Sequence, residues 1–147
     1  MKMQKISRAL GIISIFTIFA ISAMAAGEQK IALKADKAGQ GANGDAVITD
    51  AKSGQRELTI NMTGLKPNSV YTVWLVNMKP TMDMLGVGTG DYSFKSDSKG
   101  TGHFTAMISN AELEKWQMLE IAYHPDGNAK EMKKMQIALS GPLKKEK

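Results

Sequence analysis

Methionine is the residue type in this sequence best suited to chemistry. Eight of the eleven methionines lie beyond residue 25, at Met62, Met78, Met82, Met84, Met107, Met118, Met132 and Met135. Thioethers are soft, neutral ligands matched to Cu(I), and Met78, Met82 and Met84 fall in one irregular stretch, residues 78–90. With His103 or His124 completing the shell, these five residues make up the candidate metal site, a copper(I) centre. Packing competes with that reading: Met62 and at least one of Met107 and Met118 fall on strand patterns, where methionine fills gaps in a core. The histidines also have a plain structural alternative, because neither belongs to an HxH or HExxH arrangement.

Other chemistries find less support. No serine sits in a GxSxG elbow or has an evident His and Asp partner. Asp83, Asp91, Asp97, Glu112 and Glu114 are scattered through turns and one helix face, where solvation is their ordinary role. Gly86-Val87-Gly88-Thr89-Gly90 superficially resembles a phosphate loop, yet it lacks the lysine and the strand-then-helix setting. The expectation is a protein that is not an enzyme, has no catalytic residues, and has no cofactor unless copper binds.

The N-terminus predicts export. Lys2, Lys5 and Arg8 precede an apolar run from Ala9 to Ala25 that is short for a membrane span, and Ala23-Met24-Ala25 offers small residues at alternate positions for signal peptidase. Residues 1–25 are therefore read as a signal peptide, and the mature chain as periplasmic or secreted with no membrane anchor. Three of the five excess positive charges leave with it, and Lys144-Lys145-Glu146-Lys147 supplies the other two. The domain itself is thus near neutral, without the basic and aromatic clustering that nucleic-acid binding needs. A chain with no cysteine excludes disulfides, thiolate zinc, iron–sulfur and blue-copper sites, so burial alone must hold the fold.

About 120 residues remain, enough for one domain with a single core. Arg56 to Asn77 organises them: Leu58, Ile60 and Met62 alternate with Thr59, Asn61 and Thr63, then a turn at Gly64, Pro67 and Asn68 leads into Val70–Val76, apolar on both faces. Lys30–Ala35 alternates lysine with apolar residues and suits an edge strand. Asp36–Gly44 reads as a mobile loop and Asp45–Thr49 as a short strand. Asp91–Lys95 and Gly102–Ile108 form a hairpin around Gly100. Ser109 or Asn110 caps about two turns of helix reaching Trp116. Met118–Tyr123, with Leu119, Ile121 and Tyr123 inward, and Met135–Leu139 are the last strands, closed by Gly141-Pro142. The segments are an N-terminal strand and glycine-rich loop at 26–43, a core domain at 44–141 and a basic tail at 142–147. The fold class expected is all-β, an immunoglobulin-like antiparallel β-sandwich of about seven or eight strands with one short helix.

Gly64-Leu65-Lys66-Pro67 leading into Tyr71-Thr72-Val73-Trp74-Leu75-Val76, then the hairpin at Asp97–Phe104 and the strand-to-turn run Leu119–Gly127, resembles the extracytoplasmic β-sandwich domain of anti-sigma-K-type factors. The resemblance covers about Gly44 to Gly141. It implies the same sandwich, here as a stand-alone exported version without the sigma-binding domain and membrane helix of those regulators. The resemblance does not carry over the activity; an exported sandwich with several aromatic side chains is instead expected to be a monomeric, non-enzymatic binding or structural module of the bacterial cell envelope, with a partner protein or ligand not specified by sequence. The alternative is a periplasmic copper(I)-binding protein. Exposure of Trp74 and Trp116 discriminates further: if both are buried and no apolar patch remains, partner binding through aromatic side chains loses its motivation.

Overall fold

In the computed structural model, which describes residues 27–144, the alternating runs become nine antiparallel strands. They are β1 (Gln29–Ala35), β2 (Asn43–Asp50), β3 (Gln55–Thr63), β4 (Val70–Asn77), β5 (Asp83–Gly86), β6 (Ser93–Lys95), β7 (Gly102–Ser109), β8 (Met118–His124) and β9 (Gln136–Pro142), with one helical turn, α1 (Asn110–Leu113). The signal peptide read at residues 1–25 and tail residues 145–147 lie outside the described part. One continuous sheet runs β5-β4-β8-β9-β1-β2-β3-β7, with β6 also beside β4. Its neighbours β2-β3-β7 and β5-β4-β8-β9 repeat the immunoglobulin order, with the second and fifth strands of that scheme paired in one layer and the third and sixth in the other. The fold is all-β, an immunoglobulin-like sandwich curled into a half-barrel.

Both layers share one core. Ile48, Leu58, Ile60 and Met62 from one layer and Val73, Leu75, Leu119, Ile121 and Leu139 from the other are essentially inaccessible and form one cluster. In β8 the inward set is as predicted, with Leu119 and Ile121 fully buried and Tyr123 packed at the edge of the cluster. Burial on both faces is also borne out for β4, where every residue from Tyr71 to Val76 is buried.

The stretch 78–90, expected to be irregular, contains β5, and three further expectations about the chain ends and loops change. The first concerns β1, which is not an edge strand: it pairs with β2 from Gln29 to Lys34 and with β9 at Lys34 and Ala35, while Ile31 and Leu33 enter the core. Its lysines point outward because alternation places them there, and local pattern cannot tell an outer face from an outer edge. Next, the segment 36–44 holds a one-turn 3₁₀ helix (Lys37–Gly39) capped by Asp36, with Gly39 and Ala42 buried and most of its other residues exposed. Finally, β9 continues through Gly141 and Pro142, and Leu143 is buried, its N–H bonded to Gln117 O at 2.8 Å. The helix is shorter than expected. Ser109 does cap it through Glu112 N, but Gln117 N already bonds to Val76 O, so the chain is drawn into β8 after a single turn.

β9 carries a bulge at Ala138, since Ile121 pairs with Leu139 and Ala122 with Ile137. The Ala138 carbonyl bonds to Asp36 N at 2.8 Å, and a Cβ on Gly39 would lie 2.0 Å from that same oxygen. Glycine there lets the 3₁₀ turn rest on the bulge. Gly39→Ala should therefore destabilise by about 1–3 kcal/mol in urea unfolding, whereas an unstrained Gly→Ala change would stabilise.

Candidate functional site

The fold sorts the five proposed metal ligands into separate places. Met84 lies on β5 opposite Val76, and Met78 and Met82 flank the Asn77–Asp83 pair at the hairpin tip, 55% and 67% exposed. His124 is at the far end of β8, paired with Val70. Six residues of strand separate Val70 from Val76, about 20 Å at 3.3 Å per residue. His103 belongs to β7 in the other layer, where Nδ1 meets Asn61 Oδ1 at 2.8 Å and Nε2 meets Thr105 Oγ1 at 3.2 Å. Neither histidine can complete a shell around the hairpin methionines. Among the described residues no three His, Asp or Glu side chains converge as a metal-binding group.

His124 instead ends a buried polar chain on the outer face of β4 and β8. Trp74 Nε1 donates to Thr72 Oγ1 at 2.7 Å, and Thr72 Oγ1 lies 2.7 Å from His124 Nε2. Indole can only donate, so Thr72 Oγ1 accepts from Trp74 and keeps both its own proton and a second lone pair for the imidazole contact. His124 Nδ1 is buried without a protein partner. Around this chain Trp74, Val76 and Ala122 form a second apolar cluster, with Met84, Tyr92, Met118, Met135 and Ile137 packed against it. Gly86, opposite Trp74 on β5, has no side chain because the Tyr92 ring covers it, and that ring meets Trp74 edge-on at 5.5 Å.

Of the methionines taken as core, Met62 is 1% exposed. Met107 is half exposed, and Met118 packs on the outer cluster. Both tryptophans are buried at 8%, so they offer no binding platform. Exposed apolar surface collects elsewhere. Leu85 and Met107 stand on either side of a groove of about 310 Å³ also lined by Leu75, Val87, Ile108 and Glu112. It lies between β5 and β7, along the open side of the half-barrel. Glu112 at its rim is held below the usual carboxylate range, first by the Trp116 Nε1 donor and then by Lys115.

The β7 side of this seam is a free edge. Asn110 N donates to Gly54 O at 2.9 Å, so in the antiparallel ladder that follows Ile108, Ala106 and Phe104 exchange bonds with β3, and His103, Thr105 and Met107 turn their N–H and C=O outward. No other described strand pairs with β7. β7 also has no lysine, proline or bulge to blunt that edge. Sequence reading missed this feature because edge status belongs to the pairing of distant strands and leaves no local mark. No protein-family model matches the chain, and no curated protein matches it either.

Two outcomes follow from the outer face. Thr72→Val leaves the Trp74 donor and His124 Nε2 unpaired in a dry site and should cost about 2–4 kcal/mol in denaturant unfolding; a near-neutral result would contradict the chain. Glu120, beside Trp74 in the ladder, has its carboxyl raised above the ordinary range by burial and secondarily by Asp36. Its ionised form therefore costs stability at neutral pH, and the cost disappears as pH falls below the unfolded-state value. Glu120→Gln should raise the melting temperature at pH 7 and lose that gain below about pH 4. An equal gain at both pH values would contradict the assignment.

Proposed function

We propose that this chain is an exported, non-enzymatic binding module of the bacterial cell envelope that accepts an extended polypeptide segment along β7. The observation that carries the reading is the unpaired outer edge of β7 beside a groove flanked by Leu85 and Met107. An added strand would bond to His103, Thr105 and Met107 through the backbone and would set an apolar side chain between Leu85 and Met107. β6 pairs with β4 and not with β7, so β7 lacks the hydrogen-bonded fourth strand that an immunoglobulin layer usually carries. The near-neutral β7 sequence poses no charge barrier to that pairing. The likeness to the extracytoplasmic domain of anti-sigma-K-type factors is consistent with an envelope setting and supports periplasmic or secreted localisation as part of the same proposal.

The test uses the mature protein, envelope extract and amide exchange. A proline at Thr105 removes an outward N–H while leaving the β3 ladder bonds intact. Wild-type protein should retain a partner that Thr105→Pro binds at least about tenfold more weakly, and amide exchange at His103, Thr105 and Met107 should slow in the recovered complex. A bound partner that leaves those three amides exchanging as before would refute the site. Failure to recover any partner would count against the binding reading as a whole.

A further inference from the structure

The methionines at the β4–β5 hairpin form an arrangement that strand pairing in the sequence did not reveal. Val76 is paired with Met84 on one side and Met118 on the other. All three lie on the outer face, and both methionines pack against the cluster that contains Val76. Cross-strand neighbours stand about 5 Å apart, so two unbranched thioether side chains flank a smaller valine and can reach over it. The hairpin tip is then fixed beside them by one side chain. Gln117 Oε1 accepts from Met78 N at 2.9 Å and from Lys79 N at 3.4 Å, while its Nε2 donates to Lys79 O at 3.1 Å.

That clamp ties the start of β8 to the tip, so Met78 and Met82 join Met84 and Met118 at one corner of the sheet. Core packing accounts for none of the exposure of Met78 and Met82, which are more than half accessible. A surface built from thioethers on a rigid hairpin, with no converging carboxylates or imidazoles, suits a soft monovalent cation and does not suit Zn²⁺, Ca²⁺ or Mg²⁺. We propose that Met78, Met82, Met84 and Met118 bind Cu(I) at this corner, with Gln117 as the positioning residue. This site is separate from the β7 edge and goes beyond the peptide-binding reading.

Met107 and Met132 are internal controls, because each is exposed but neither belongs to the hairpin corner. With the mature protein labelled at methionine methyl carbons, Ag(I), a redox-inert stand-in for Cu(I), should shift the signals of Met78, Met82, Met84 and Met118 and saturate at one equivalent. Cu(I) titration against a competing chelator should show at least about tenfold weaker binding for Met78→Leu/Met82→Leu. Both positions are exposed, so the fold should tolerate this pair. Gln117→Ala should weaken Cu(I) binding while leaving every thioether in place, and Met107→Leu/Met132→Leu should not change it. Unchanged affinity in the hairpin variant would overturn the site, as would silver shifts spread equally over Met107 and Met132.

Discussion

Burial of β4 on both faces is the constraint on which the remaining structure depends. Its inner face, Tyr71, Val73 and Leu75, packs into the shared core. On the outer face Thr72, Trp74 and Val76 are equally removed from water. Outer residues of a sandwich strand usually meet solvent, so this face needs its own cover, and the Met84, Tyr92, Met118, Met135 and Ile137 side chains supply it. Beneath that cover the Trp74 indole, the Thr72 hydroxyl and His124 Nε2 are linked in series, while His124 Nδ1 has no protein partner.

A second consequence concerns sheet edges. β1 takes up the free sides of both β2 and β9, and so joins the two layers along one flank. On the opposite flank the chain passes from β6 to β7 without strand pairing between them, and side chains such as Phe94 and Phe104 meet at 6.1 Å. One flank is therefore continuous through hydrogen-bonded strands, and the other holds a groove beside the unpaired edge of β7. Closing one side of the half-barrel is what leaves the β7 edge unpaired on the other.

The methionines divide according to the same geometry. Met62 serves the core, Met84 and Met118 cover the outer cluster, and Met78 and Met82 project from the hairpin tip. Sequence spacing placed Met78, Met82 and Met84 together correctly but joined them to histidines that the sheet separates. Met118 is distant in sequence and arrives at the same corner only because β8 pairs with β4. The alternation that turned Leu119 inward already turned Met118 outward, so its face was legible even though its neighbours were not.

The sequence by itself determined the class of fold, because period-two burial, turn residues and the absence of cysteine leave few ways for this chain to remove its apolar side chains from water. It also sorted the two faces of β3, β4 and β8 and placed the helix cap at Ser109 or Asn110, since alternation and capping are local. Tertiary structure alone decided that β1 is central and β7 an edge, that a 3₁₀ turn after Asp36 rests on the β9 bulge, and that Met118 and not a histidine stands beside the hairpin methionines. Those outcomes depend on which distant strands pair and in what register, and a hydrogen-bonded ladder reads backbone position without recording the choice in any one strand's side chains.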